Sequence, residues 1–82
     1  MENDTELSFT IYSTPGCPWC ERAKNLCNEN GIPYTEIMVS RDIERDVFLE
    51  QFPHVKSAPH ITYRGKTLGG YSDLENFFAN KQ

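Results

Sequence analysis

Leu7-Ser8-Phe9-Thr10-Ile11-Tyr12, followed by Ser13-Thr14-Pro15-Gly16 and then Cys17-Pro18-Trp19-Cys20, is the stretch whose reading decides the fold. The first part is rich in β-branched and aromatic residues and predicts a strand. Ser13 to Gly16 is turn chemistry. Pro18 suits the first position of a helix, where its missing N–H costs nothing. Trp19, Ala23, Leu26, Cys27 and Asn30 then recur at helical spacing, and Gly31 with Pro33 ends the run. The two cysteines of Cys17-Pro18-Trp19-Cys20 therefore sit where a strand hands over to a helix.

The same reading extends to the rest of the chain. Pro33 to Val39, with Tyr34, Thr35, Ile37, Met38 and Val39, predicts a second strand. Ile43, Val47, Phe48 and Phe52 mark a second amphipathic helix, ended by Pro53. Ile61-Thr62-Tyr63 and Lys66-Thr67-Leu68 flank Arg64-Gly65 as a hairpin. Ser72-Asp73-Leu74-Glu75 fits a capping box opening a last helix, with Leu74, Phe77 and Phe78 on its inner face. Two strands joined through a helix imply a parallel βαβ unit, and the hairpin adds an antiparallel pair. A small mixed sheet covered by helices follows. No repeat or low-complexity tract interrupts residues 1–82, which read as a single domain with a polar tail at 1–6.

Composition narrows the function. With 82 residues the chain is near the lower limit for a core that stands without staples. Its three cysteines are an odd number, against a secreted disulfide framework, which favours an even one. Met1 to Glu6 is acidic and polar, unlike a signal or transit peptide, and no apolar run approaches the ~20 residues that cross a bilayer. The expectation is a cytoplasmic protein in a reducing compartment, with no membrane partner. Eight basic against twelve acidic residues give a formal charge of −4, and the basic ones are scattered, so nucleic acid is not an expected partner.

Cys17 at a helix start faces free backbone N–H groups and the positive end of the helix dipole, both of which stabilise a thiolate. A cysteine at its usual pKa of ~8.5 is mostly protonated at neutral pH, whereas one shifted to ~3.5–7.5 is a working nucleophile. Cys20, a turn inward, is expected to be more buried and less acidic. A Cys-x-x-Cys pair also serves as half of many zinc sites. Completion here would need Cys27 with His54 or His60, yet Cys27 falls on the apolar face of its helix and reads as a small buried hydrophobe. Both histidines read as surface or supporting residues, and Arg41 to Glu50 as a solvated helix face.

Cys17-Pro18-Trp19-Cys20, Ser57-Ala58-Pro59 and Gly69-Gly70-Tyr71-Ser72-Asp73-Leu74, in this order, resemble a small dithiol glutaredoxin, over roughly Ser8 to Phe78. The resemblance implies an α/β thioredoxin-like fold: a four-stranded mixed sheet of order 2-1-3-4 with three helices. It implies glutathione as co-substrate, no resident metal, and a monomer that reduces protein disulfides and glutathionylated thiols, with ribonucleotide reductase as a client. Cys17 would be the nucleophile and Cys20 the resolving thiol. For glutathione it implies Trp19 as a pocket wall, Lys56 on the glycyl carboxylate, and the Ala58 backbone beside a cis Pro59. Gly70, Ser72 and Asp73 would hold the γ-glutamyl end. Two departures stand out: Thr14 where the family often has lysine, and Ser57-Ala58 for its usual Thr-Val. Glu21 disfavours a neighbouring thiolate, with Arg22 as its offset. The rival readings are a zinc or glutathione-ligated iron–sulfur module on this fold, and a thioredoxin-type reductant.

Overall fold

The computed structural model describes residues 9–55 and 57–80. In chain order the elements are β1 (Phe9–Ser13), α1 (Pro18–Glu29), β2 (Tyr34–Met38), α2 (Arg45–Gln51), β3 (His60–Tyr63), β4 (Lys66–Gly69) and α3 (Tyr71–Ala79). The strands form one sheet in the order β2-β1-β3-β4, as expected. β1 runs parallel to β2, with Ile11 opposite Glu36, and antiparallel to β3, with Ile11 opposite Ile61. β3 and β4 close the hairpin.

Alternation along β1 sorts the two faces. Phe9, Ile11 and Ser13 are buried, and Phe9 and Ile11 pack with Ala23 and Cys27 of α1, Ile61 of β3 and Leu74 of α3. Ile11, Ile61 and Leu74 have no exposed surface. Burying each stabilises the fold by about 1.5–3 kcal/mol relative to exposure. Phe9 also meets Tyr63 at 4.6 Å and Phe77 at 5.5 Å between ring centroids, which ties α3 to the sheet. Cys27 belongs to this core as a small hydrophobe, and burial pushes its thiol up to about 11.

The opposite face carries an aromatic cluster under α2. His60 lies 4.4 Å from Phe52 and 5.9 Å from Tyr12 between ring centroids. It is an interior residue, unlike exposed His54, because period-2 alternation turns it beneath Phe48 and Phe52. Its Nε2 has no hydrogen-bond partner, and burial lowers its pKa. An unfolded chain protonates this histidine below pH ~6.5, whereas the folded chain resists, so stability falls as pH drops through that value. The expected slope is at most about 1.4 kcal/mol per pH unit, and urea titrations from pH 7 to 5 should show it flattened in His60→Gln. An equal slope in that variant would remove the assignment.

Several boundaries differ from the sequence reading, and three of them bear on the site. β1 runs on to Ser13, which pairs with Met38 instead of opening the turn; Leu7 and Ser8 lie outside the described residues. Ile43 is not in α2 but bridges Val39 in a tight turn before the helix. There the N–H of Met38 donates to the Asp42 carboxylate at 2.9 Å, and the N–H groups of Arg41 and Asp42 donate to the Met38 carbonyl. The Ile43 carbonyl, which would accept the Val47 N–H in a longer helix, instead accepts the Ser40 N–H at 2.8 Å. Lastly, α3 opens two residues earlier than the Ser72 box, with Gly70 as its cap.

Candidate active site

The turn after β1 delivers Cys17 to the cap position of α1, with Pro18 next to it in the first turn. The N–H of Cys20 donates to Cys17 Sγ at 3.2 Å. This donor is one of the helix-start N–H groups that lack an intrahelical acceptor. Cys17 is partly exposed, while Cys20 is only 2% exposed. Burial, chiefly, pushes the Cys20 thiol up to about 11, helped by the hydrogen bond and charge of Cys17 and partly opposed by the Thr14 backbone. The two thiols are thus unequal: an accessible one supplied with a donor, and a buried one that holds its proton.

The charges around the pair are arranged differently from the sequence reading. Lys24 Nζ, not Arg22, meets Glu21 at 2.9 Å, and it also meets Glu36 of β2 at 2.8 Å. This double contact raises the Lys24 pKa and lowers that of Glu36. Arg22 instead lies over the Trp19 ring, 4.5 Å from its centroid. The difference follows from helix geometry: Glu21 and Lys24 are three apart on one face, as are Trp19 and Arg22 on another.

A cavity of about 290 Å³ is lined by Trp19, Ser57, Ala58, Pro59, Gly70, Tyr71, Ser72 and Asp73. All the residues expected to hold glutathione are here except Lys56, which lies outside the described residues. The Ala58–Pro59 peptide is cis. Cys17 and Cys20 line instead a second cavity of about 300 Å³, with Ser13, Thr14, Glu36 and Met38. Tyr71 stood in the sequence motif without an assigned role, yet its ring lies 5.3 Å from that of Trp19 and completes the wall. Arg45, read as part of a solvated face, lines a third cavity of about 440 Å³ with Thr14, Ser57 and Ala58. Only folding the turn before α2 brings it there.

At the other end of the groove, Asp73 reaches back to accept the Gly70 N–H at 3.1 Å. The carboxylate crosses over Gly69, which has φ +133° and no room for a Cβ. The cap therefore uses Gly70 and Asp73 in place of Ser72 and Glu75. Ser72 and Asp73 remain at the first turn, where helix N–H groups lack intrahelical acceptors. Among the described residues no group of three or more His, Cys, Asp or Glu side chains is placed to hold a metal.

A mixed sheet of order 2-1-3-4 with a Cys-x-x-Cys pair capping the first helix defines a thioredoxin-fold redox protein. Within that class the chain belongs to the glutaredoxin family, whose model matches residues 9–68, and it is accordingly a thiol–disulfide oxidoreductase. It is 33% identical to a glutaredoxin of Neisseria meningitidis serogroup B over 68 residues, covering 82% of this chain and 80% of that one. It is 32% identical to the hybrid peroxiredoxin hyPrx5 of Haemophilus influenzae over 78 residues, 95% of this chain but only 32% of that longer protein. Among solved structures, the glutaredoxin of Brucella melitensis superposes with a TM-score of 0.75 at 28% identity, covering 94% of this chain and 84% of that one.

Proposed function

We propose that this protein is a glutathione-dependent oxidoreductase that reduces glutathione mixed disulfides and protein disulfides through Cys17 and Cys20. The observation that carries this reading is the Cys20 N–H aimed at Cys17 Sγ beside a groove suited to a small zwitterionic peptide. Glutathione carries two carboxylates and an ammonium. The groove offers the Ala58 backbone for its peptide portion, helix N–H groups at Ser72 for one carboxylate, and the Asp73 charge for the ammonium. Arg45 supplies a cation on the Thr14 side for the other carboxylate, where the family's lysine is missing.

The chemistry balances without an external cofactor. The Cys17 thiolate attacks the glutathionyl sulfur of a mixed disulfide, the client thiolate leaves and takes a proton, and glutathione remains on Cys17. A second glutathione thiolate attacks that sulfur, forming oxidised glutathione and restoring Cys17. With a protein disulfide, the Cys17 thiolate bonds to one client sulfur while the other leaves as a thiol. Cys20 then displaces the client's remaining sulfur as a thiol, forming a Cys17–Cys20 disulfide that two glutathione molecules reduce, leaving oxidised glutathione. Family potentials of about −200 to −230 mV lie near the extracted cytosolic glutathione poise of about −220 to −260 mV, so glutathione suffices as the reductant. A cytoplasmic monomer with ribonucleotide reductase among its clients fits this chemistry.

The deciding experiment supplies electrons to the purified protein from two sources. Glutathione with its reductase should sustain turnover of a glutathionylated cysteine substrate, and thioredoxin reductase should not. The reverse outcome would identify a thioredoxin-type reductant. Stoichiometric bound metal with thiols closed to alkylation would identify a metal-carrying module.

A further inference from the structure

Trp19 is 49% exposed, the most exposed large hydrophobic residue among those described. Its ring meets two partners: Tyr71 of α3 at 5.3 Å and the Arg22 guanidinium at 4.5 Å. Arg22 does not line the cavity that Trp19 walls, so it stands outside the groove on the exposed helix surface. It makes no salt bridge among the described residues. The acids nearest in sequence and at the groove are already engaged, Glu21 by Lys24 and Asp73 by the Gly70 N–H. Stacking on an indole fixes the guanidinium plane while leaving its N–H edge free for a bidentate acceptor. The whole chain carries −4, so an exposed cation with no acidic partner among the described residues is a favoured point of approach for an acidic client.

We propose that Arg22, stacked on Trp19 beside the nucleophile, selects client proteins with an acidic residue flanking the reacting cysteine. The groove and this surface then divide the substrate. Asp73 presents negative charge to the glutathionyl side, and Arg22 presents positive charge to the protein side. Arg22 is a specificity-determining residue here, not part of the thiol chemistry. The inference rests on Cys17 being the nucleophile of the proposed function but is independent of glutathione.

The test is the rate at which Cys17 captures a peptide, read by release of 2-thiopyridone. Three reagents are used, each as its 2-thiopyridyl disulfide: a Glu-Cys-Glu peptide, a Lys-Cys-Lys peptide of equal length, and uncharged 2-mercaptoethanol. The Cys20→Ser protein keeps the reaction at the first step: Cys17 sulfur bonds to the peptide sulfur and thiopyridone leaves. The expected preference for the acidic peptide is about fivefold at low salt, the size of a good surface ion pair, and it shrinks as salt rises. Adding Arg22→Gln should remove the preference and Arg22→Glu should invert it, with the uncharged reagent changing less than twofold in both. The proposal is overturned by equal rates for the two peptides, or by a preference that survives Arg22→Gln. It is also overturned if Arg22→Gln slows all three reagents alike, since the arginine would then act on Cys17 itself. No release even from the uncharged reagent would remove the nucleophile assignment, and this inference with it.

Discussion

Cys17→Ser is expected to reduce exchange with every disulfide to the buffer background. Cys20→Ser is expected to keep turnover of glutathione mixed disulfides while losing reduction of protein disulfides. The asymmetry follows from where each group acts. The donor to Cys17 Sγ is the backbone N–H of residue 20, not its side chain, so it survives replacement of the Cys20 sulfur. What Cys20→Ser removes is the proposed resolving nucleophile. A thiol held up to about 11 is ionised in only about one molecule in 10⁴ at neutral pH. Two things offset that scarcity. The attack is intramolecular, and well-oriented intramolecular reactions reach effective molarities of about 10⁵–10⁸ M. In addition, once Cys17 is tied up in a mixed disulfide its charge and hydrogen bond no longer hold the Cys20 proton, leaving burial as the main restraint. Resolution of a trapped protein mixed disulfide should therefore quicken by nearly tenfold per pH unit from pH 6 to 8, tracking the Cys20 thiolate. Stopped-flow fluorescence of Trp19 can follow it. Equal activity of Cys20→Ser on both substrate types, or a flat pH profile for resolution, would remove the resolving role.

How much of this was legible beforehand depends on the range of the interaction concerned. The passage from β1 through Cys17 to α1 is written in local terms: strand residues, a Pro-Gly turn, a proline in the first helical turn. The buried positions Phe9, Ile11, Ala23, Cys27 and Leu74 follow the periods of their elements. The strand order and the cis bond before Pro59 came from resemblance to a family, since nothing local in Ser57-Ala58-Pro59 specifies them. Three features stayed hidden because they depend on pairs that only the fold creates. Lys24 prefers Glu21 and Glu36 because β2 brings Glu36 beside α1, which frees Arg22 for Trp19. His60 is interior because α2 closes over the far side of β3. Arg45 reaches the cavity beside Thr14 because the Met38 N–H, donating to the Asp42 carboxylate, helps end the preceding strand and the turn there delays the helix. The last cap shows the same limit at short range. Ser72 and Glu75 satisfy the motif, yet Asp73 bonding to Gly70 wins, with the glycine before it leaving the space.

That glycine leads to the other large expected effect. Gly69→Ala should destabilise the fold and weaken the groove proposed for glutathione together. At φ +133° an L-residue is strained whatever surrounds it, a cost of about 1–3 kcal/mol. A methyl group there also collides with the Asp73 carboxylate, so Asp73 must abandon the Gly70 N–H. Loss of a hydrogen bond to a charged group adds about 1.5–3 kcal/mol, discounted here because the site is open to water. The combined loss, about 2–4 kcal/mol, is a large share of the ~5–15 kcal/mol that typically holds a domain together. It should appear as a lower urea midpoint. In the protein that remains folded, the site proposed for the γ-glutamyl end loses both its ordered helix start and its aligned carboxylate. KM for a glutathionylated substrate should then rise about tenfold, with Cys17 alkylation unchanged because the nucleophile caps a different helix. Gly70→Ala supplies the contrast. Gly70 has an ordinary extended conformation, and its added Cβ would meet the Pro59 carbonyl at 3.6 Å, a normal contact. That variant should stay within about 1 kcal/mol of the parent, as expected for a substitution without strain or collision. If the two alanine variants prove equally stable, backbone conformation and the Asp73 contact do not govern the groove, and the account of its γ-glutamyl end fails.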